Sequence, residues 1–173
     1  MKTIMILSLL VSASAFASLN MKPGLWTVQT KVTQDGKTHE PRVEMKKSME
    51  DMSPEQRSQV EAMMKKMGAG LGDDGMKVCY TPEMIQNDSA LSRHGKEKCE
   101  THFKTKTASR VAGDFKCDDG STGKMDWTLS GNEKYTGKVT LDRDGKKTDI
   151  AYNGKFVSSD CGDVKPIDMK AMK

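Results

Sequence analysis

Alternation of apolar and polar residues through the second half of the chain is the feature that most limits the fold. Three segments place apolar residues or glycine at every second position, which is the period of a β-strand with one buried face. These positions are Met125, Trp127 and Leu129, then Tyr135, Gly137, Val139 and Leu141, then Ile150, Tyr152, Gly154 and Phe156. Turn signals at Asp119-Gly120, Gly131-Asn132 and Asp144-Gly145 separate the segments. This spacing predicts an antiparallel meander of short strands.

A further strand of the same kind is predicted closer to the N-terminus. Residues Gly24–Thr33 alternate, and Asp35-Gly36 is a hairpin turn signal. Lys37–Lys47 is therefore expected to be the partner strand, limited to a sheet edge by Pro41, because proline cannot donate to the ladder.

Helical signals interrupt the strands between residues 50 and 75. Ser53-Pro54-Glu55-Gln56 is a capping box with proline at the first helical position, and methionines follow at helical spacing. We predict one amphipathic helix at Pro54–Met67, a flexible linker at Gly68–Gly75 and a short second helix starting at Pro82. The expected fold class is mainly β (α+β): a curled antiparallel meander sheet or partial barrel with one inserted amphipathic helix and a short second helix.

The N-terminus has the features of an export signal. Lys2 supplies a positive charge, Ile4–Val11 is a short apolar run and Ala15-Phe16-Ala17 is a cleavage pattern. The run is far shorter than the roughly 20 residues that a membrane span needs. We expect a signal peptide at 1–17, a single β-rich domain at 18–162 with the helical insertion at about 50–75, and a flexible tail at 163–173. The expected location is the periplasm.

Composition excludes several classes of protein. A mean hydropathy of -0.66 rules out a polytopic membrane protein. The net charge is only +4 although 30% of residues are charged, so the two signs are mixed and a nucleic-acid partner is not expected. The sequence contains no nucleophile elbow and no zinc-binding helix, so we expect a protein that is not an enzyme and needs no cofactor.

The four cysteines all lie in the mature part, and an even number in an exported chain favours two disulfides. Three pairings are possible. A hairpin that turns at Ala108 places Cys99 opposite Cys117 and Phe103 opposite Gly113, and an aromatic residue across from a strand glycine is a suitable pair. This register predicts Cys99–Cys117 and leaves Cys79–Cys161.

The methionines offer the sharpest chemical alternative. Thioethers are soft ligands for Cu(I), and Met49, Met52, Met64 and Met67 form two pairs one helical turn apart if both stretches are helical. The simpler interpretation is an adaptable apolar face that packs on the sheet. We expect packing and keep copper(I) handling as the alternative.

A curled sheet beneath a Met-rich helix would enclose a concave apolar site. The expected partner is thus a small apolar ligand or another envelope protein. The residues expected to line the site are Trp26, Trp127, Tyr135, Tyr152, Phe156 and Met64, which could equally be plain core.

Three segments together resemble the bacterial exported domain-of-unknown-function family 3617. They are MKPGLW (Met21–Trp26), SPEQRSQVEAMMKKMG (Ser53–Gly68) and MKVCYTPEM (Met76–Met84), followed by the cysteines at 99, 117 and 161. The resemblance covers essentially the whole mature chain. It implies an exported protein with this cysteine pattern, and it implies no catalytic residue.

Overall fold

The computed structural model describes residues 19–66, 68–86 and 99–166. The predicted signal peptide, Met67 and residues 167–173 lie outside the described residues. Within these ranges the chain forms nine strands and three helices. In chain order they are β1 (Gly24–Gln34), β2 (Lys37–His39), α1 (Pro41–Glu50), α2 (Pro54–Lys66), β3 (Ala69–Leu71), β4 (Met76–Tyr80), α3 (Pro82–Gln86), β5 (Cys99–Lys106), β6 (Arg110–Cys117), β7 (Thr122–Ser130), β8 (Lys134–Arg143) and β9 (Lys146–Ser158). None of the described helices is long and apolar enough to span a membrane.

The strands form one antiparallel sheet in the order β3-β4-β1-β9-β8-β7-β6-β5, with β2 paired to β1. Strands β5 to β9 are a meander, and the N-terminal strand β1 is inserted between β4 and β9. Strands β4 and β8 are three places apart in the sheet, yet the hydroxyls of Tyr80 in β4 and Tyr135 in β8 are hydrogen-bonded. The sheet therefore curls around the face that carries these two side chains. The predicted mainly β, antiparallel fold is confirmed, and the described sheet is open rather than closed, with β3 and β5 as its ends.

Aromatic residues on the inner face lie directly opposite glycines of the next strand. The register gives four such pairs: Phe103–Gly113, Phe115–Gly123, Trp127–Gly137 and Tyr135–Gly154. In the last three pairs a Cβ added to the glycine would overlap the aromatic ring itself. The rings can therefore lie flat across the neighbouring strand only because glycine has no side chain. This packing fills the inside of the curl.

Two segments differ from the sequence prediction. The expected partner strand Lys37–Lys47 is only three residues long, because the chain turns into α1 at Pro41. Proline has no N–H to donate, and at the first helical position that N–H would lack an intrahelical partner anyway. The predicted linker Gly68–Gly75 also contains a short strand, β3, which pairs with β4.

The predicted start of α2 is confirmed in detail. The Gln56 backbone N–H donates to Ser53 Oγ at 3.3 Å, and the Ser53 N–H donates to Gln56 Oε1 at 2.9 Å. These are the two reciprocal bonds of a capping box. The helix ends at Lys66, and Gly68 follows with a positive φ of 75°, which suits glycine at a helix end.

Both predicted disulfides, Cys79–Cys161 and Cys99–Cys117, are present. Cys99 lies opposite Cys117 and Phe103 opposite Gly113, as the hairpin register requires. Beyond Phe103 a bulge shifts the register by one residue. The turn is closed by the Thr107 N–H donating to the Arg110 carbonyl at 2.8 Å.

The Met-rich helix does not cover the concave face, which corrects the prediction. Leu25 and Cys79 are paired neighbours on the outer face, and Met64 of α2 lines the same depression as Leu25, Cys161 and Val164. Met64 and Val164 are both buried, so packing continues past Gly162 into the predicted tail. A second, smaller core thus lies outside the curl, around the Cys79–Cys161 disulfide.

The two disulfides should contribute unequally to stability. In the chain-entropy model, the 82-residue separation of Cys79 and Cys161 stabilises by about 4.5 kcal/mol, and the 18-residue separation of Cys99 and Cys117 by about 3 kcal/mol. We expect Cys→Ala replacement of the first pair to lower the free energy of unfolding more than replacement of the second, measured by urea denaturation. Equal losses, or free thiols in the denatured, unreduced protein, would contradict the assignment.

Adjacent methionines of α2 provide a matched test of the outer core. Met64 is 4% exposed and Met63 is 55% exposed. Met64→Asp places a carboxylate in an apolar site and should lower the free energy of unfolding by at least about 2 kcal/mol. Met63→Asp makes the same chemical change in solvent and should stay within about 0.5 kcal/mol of the parent protein. Equal melting temperatures for the two variants would show that α2 does not pack on the sheet.

Candidate functional site

The inner face of the curled sheet has a closed end and a more open end. At the closed end Trp26 is fully buried, and its ring contacts those of Tyr80, Tyr135 and Phe156 with centroids 5.4 to 6.1 Å apart. The Trp26 Nε1–H donates to the Lys22 carbonyl at 2.9 Å. This end is a satisfied aromatic core.

Residues from outside the meander fill the rest of the closed end. They are Leu19 and Met21 from the segment before β1, and Met84 and Ile85 from α3, all of them buried in the main core cluster. This contribution of Leu19, Met21, Met84 and Ile85 to the core is not predicted from the sequence. The Thr81-Pro82 cap and the apolar Met84-Ile85 pair predicted the short helix but not the surface that it covers.

Buried phenols add one polar contact to this end. The hydroxyls of Tyr80 and Tyr135 lie 3.0 Å apart and share a hydrogen bond. Burial raises the pKa of Tyr80, and it raises the pKa of Tyr135 well above its ordinary value. Both phenols are therefore neutral at physiological pH, and the pair serves to satisfy polar groups inside the core.

The other end of the inner face is less well covered. Four apolar side chains there are only partly buried against the core: Phe103, Leu141, Ile150 and Tyr152. Ile150 lies opposite Val139 and Tyr152 lies opposite Gly137, so these residues border the buried Trp127–Gly137 pair. We name this group (Phe103, Leu141, Ile150 and Tyr152, with Trp127 behind them) the open-end site.

Trp127 brings to the open-end site a buried polar group that has no hydrogen-bond partner in the part of the chain that the structure describes. Its ring stacks on Tyr152 with centroids 5.0 Å apart and meets Tyr135 edge-on at 5.5 Å. The residue is 6% exposed, yet its indole Nε1–H has no hydrogen-bond partner among the described residues. Burial raises the pKa of Tyr152, so this phenol, which stacks on Trp127, is neutral. The site therefore combines one buried donor with an apolar surface, at whose edge the Lys106 ammonium lies over the Phe103 ring, 5.3 Å from its centroid.

The structure separates the six residues predicted to line a ligand site. Trp26, Tyr135 and Phe156 belong to the aromatic packing of the closed end, and Trp127 and Tyr152 belong to the open-end site. Met64 lies apart from them on the outer face. No pattern along the chain predicts this division, because alternation identifies a face of the sheet but not the end of that face that is left uncovered.

The four methionines of the copper alternative do not stand out as a site. Met49 in α1 and Met64 in α2 are buried, Met52 is half-buried between the helices and Met67 lies outside the described residues. Within the described ranges there is also no group of three or more His, Cys, Asp or Glu residues that could hold a metal ion. Copper handling stays a prediction, and the burial of Met49 and Met64 favours packing.

Comparison with known proteins places the chain among relatives of similar sequence. The profile of a family described as "Protein of unknown function (DUF3617)" matches residues 21–161, which is most of the chain. The chain belongs to the DUF3617 family. It is also 29% identical over 98 residues to an uncharacterized protein in the lpd-3 5' region of Pseudomonas putida, covering 56% of this chain and 69% of that protein. No solved structure matches the chain. The family resemblance expected from the sequence is confirmed.

Proposed function

We propose that this protein is an exported, non-enzymatic binding module of the periplasm whose ligand is small, apolar and equipped with one hydrogen-bond acceptor. The ligand would lie at the open-end site, with its acceptor against the Trp127 indole. The observation that carries the proposal is the buried Nε1–H of Trp127, which has no partner among the described residues.

A buried donor without a partner costs about 1–3 kcal/mol of stability. An acceptor atom brought by a ligand would remove that cost, and this gain comes in addition to covering partly exposed apolar surface. Tyr152 stacks on the indole that carries the donor, and Phe103, Leu141 and Ile150 are the other partly exposed apolar side chains of this end. Ligand sites combine these two features, because apolar walls provide affinity and a few polar groups fix orientation.

The chemistry of the open-end site supports binding rather than catalysis. General acid–base catalysis needs a group whose pKa lies near the working pH. Tyr152 has a pKa raised by burial, and the remaining residues of the open-end site do not ionise. An indole and a neutral phenol can hold and orient a ligand.

One feature of the sequence and one of the structure support the proposed location. The chain begins with a charged start, an apolar run and a small-residue cleavage pattern. Its four cysteines form two disulfides, which persist in oxidising compartments such as the periplasm.

The two tryptophans allow a direct test by NMR of the 15N-labelled protein. We expect titration with 2-nonanone, an apolar chain with one carbonyl acceptor, to move the Trp127 indole N–H signal downfield. The Trp26 indole already donates to the Lys22 carbonyl and should not move. Trp127→Phe keeps an aromatic ring and removes the donor, so it assigns the signal and should weaken binding about 3- to 10-fold.

Native mass spectrometry of the protein purified from its own periplasm complements the titration. A co-purified apolar molecule that is lost in Trp127→Phe supports the proposal. Indole signals that both stay fixed, together with a spectrum that contains only the bare protein mass, would contradict it. A copper adduct would instead favour the methionine alternative.

A further inference from the structure

The outer face of the sheet carries a row of lysines across four adjacent strands. Lys134 of β8 lies opposite Lys155 of β9, Lys155 lies opposite Thr27 of β1, and Thr27 lies opposite Lys77 of β4. We name these four residues the lysine row. From this register and its surroundings we propose that the lysine row is a binding site for a phosphoryl group, carried either by a free phosphate compound or by a phospholipid headgroup.

The lysine row brings like charges together, although Asp73 and Asp74 line the same groove. Like charges directly opposite on neighbouring strands destabilise a sheet, and Lys134 and Lys155 form such a pair. None of its three ammonium groups has an ion-pair partner among the described residues, whereas Lys31, Lys104 and Lys138 on the same sheet each pair with an acid. An anion held between them would replace repulsion with attraction.

The register places the ammonium groups within reach of one anion. Neighbouring strands lie about 4.8 Å apart, so the lysine row spans roughly three such intervals. Flexible four-carbon side chains can converge over that distance on one phosphoryl oxygen set. The hydroxyl of Thr27, in the centre of the row, can donate a further hydrogen bond.

The lysine row lies in a formed groove rather than on a flat surface. Its four residues line a cavity of about 770 Å³ together with Gln29, Asn153 and the loop before β4. Asp73 and Asp74 of that loop also line the groove, and their backbone carbonyls are held by Arg42 and by Gln29. The stem of Lys77 lies against Gly70 and Gly72, which supports its position at the wall.

Val157 gives the groove an apolar neighbour. It is 52% exposed and lies in β9 where a bulge shifts the pairing with β1. It also lines the same groove as Lys155. A phospholipid could contact Val157 with its glycerol or acyl part, whereas a free phosphate would not, so the two sources can be told apart by experiment.

The test uses the full mature protein in a phosphate-free buffer of low ionic strength. Inorganic phosphate is titrated by calorimetry, and binding to vesicles of phosphatidylglycerol or of phosphatidylcholine is measured by co-sedimentation. Lys155→Gln removes the lysine that lies between Thr27 and Lys134 in the row. Lys138→Gln is the matched control, because Lys138 is an exposed lysine on the same face of β8 whose partner is Asp149.

Phosphate binding that Lys155→Gln weakens at least fivefold and Lys138→Gln leaves unchanged would support a site for free phosphate compounds. Binding to phosphatidylglycerol vesicles but not to phosphatidylcholine, with the same dependence on Lys155 and a further loss in Val157→Ser, would support a headgroup site. No binding of either probe, or equal losses in Lys155→Gln and Lys138→Gln, would overturn the proposal.

Discussion

Contact between an aromatic ring and a cross-strand glycine is the interaction on which the rest of this structure depends. Trp127 lies over Gly137 and Tyr135 lies over Gly154, and in each pair the ring occupies the volume that a Cβ would take. Flat rings fill the inside of a curled sheet with few residues, which matters in a chain with only 5% aromatic residues. The pairs also fix the register, since a slip by one residue would turn every ring to the outer face.

This packing determines which part of the inner face is left uncovered for a ligand. Because aromatic rings and α3 fill the closed end, the concave surface is mostly core. The open end presents four half-buried apolar side chains near Trp127. The lysine row lies on the outer face, where the two ends of the chain's longest crosslink, Cys79–Cys161, also meet. The two proposed sites therefore use different faces of the sheet.

Local patterns in the sequence predicted those parts of the fold that depend on neighbours along the chain. Two-residue alternation predicted the meander, and the hairpin register predicted Cys99 opposite Cys117. The prediction of an edge strand through Pro41 was wrong, because proline is compatible with both an edge strand and the first turn of a helix. The side on which Met64 packs, and the missing partner of Trp127 Nε1, depend on contacts between distant segments. No local pattern contains that information.

A double-mutant cycle on Trp127 and Gly137 tests the central role of the ring–glycine contact most directly. In the parent protein Gly137→Ala forces a methyl group into the indole and should lower the free energy of unfolding by about 1–3 kcal/mol. In a Trp127→Leu background the ring is absent, so the same alanine should cost at least about 1 kcal/mol less, measured by urea denaturation. Equal costs of Gly137→Ala in the two backgrounds would contradict the account.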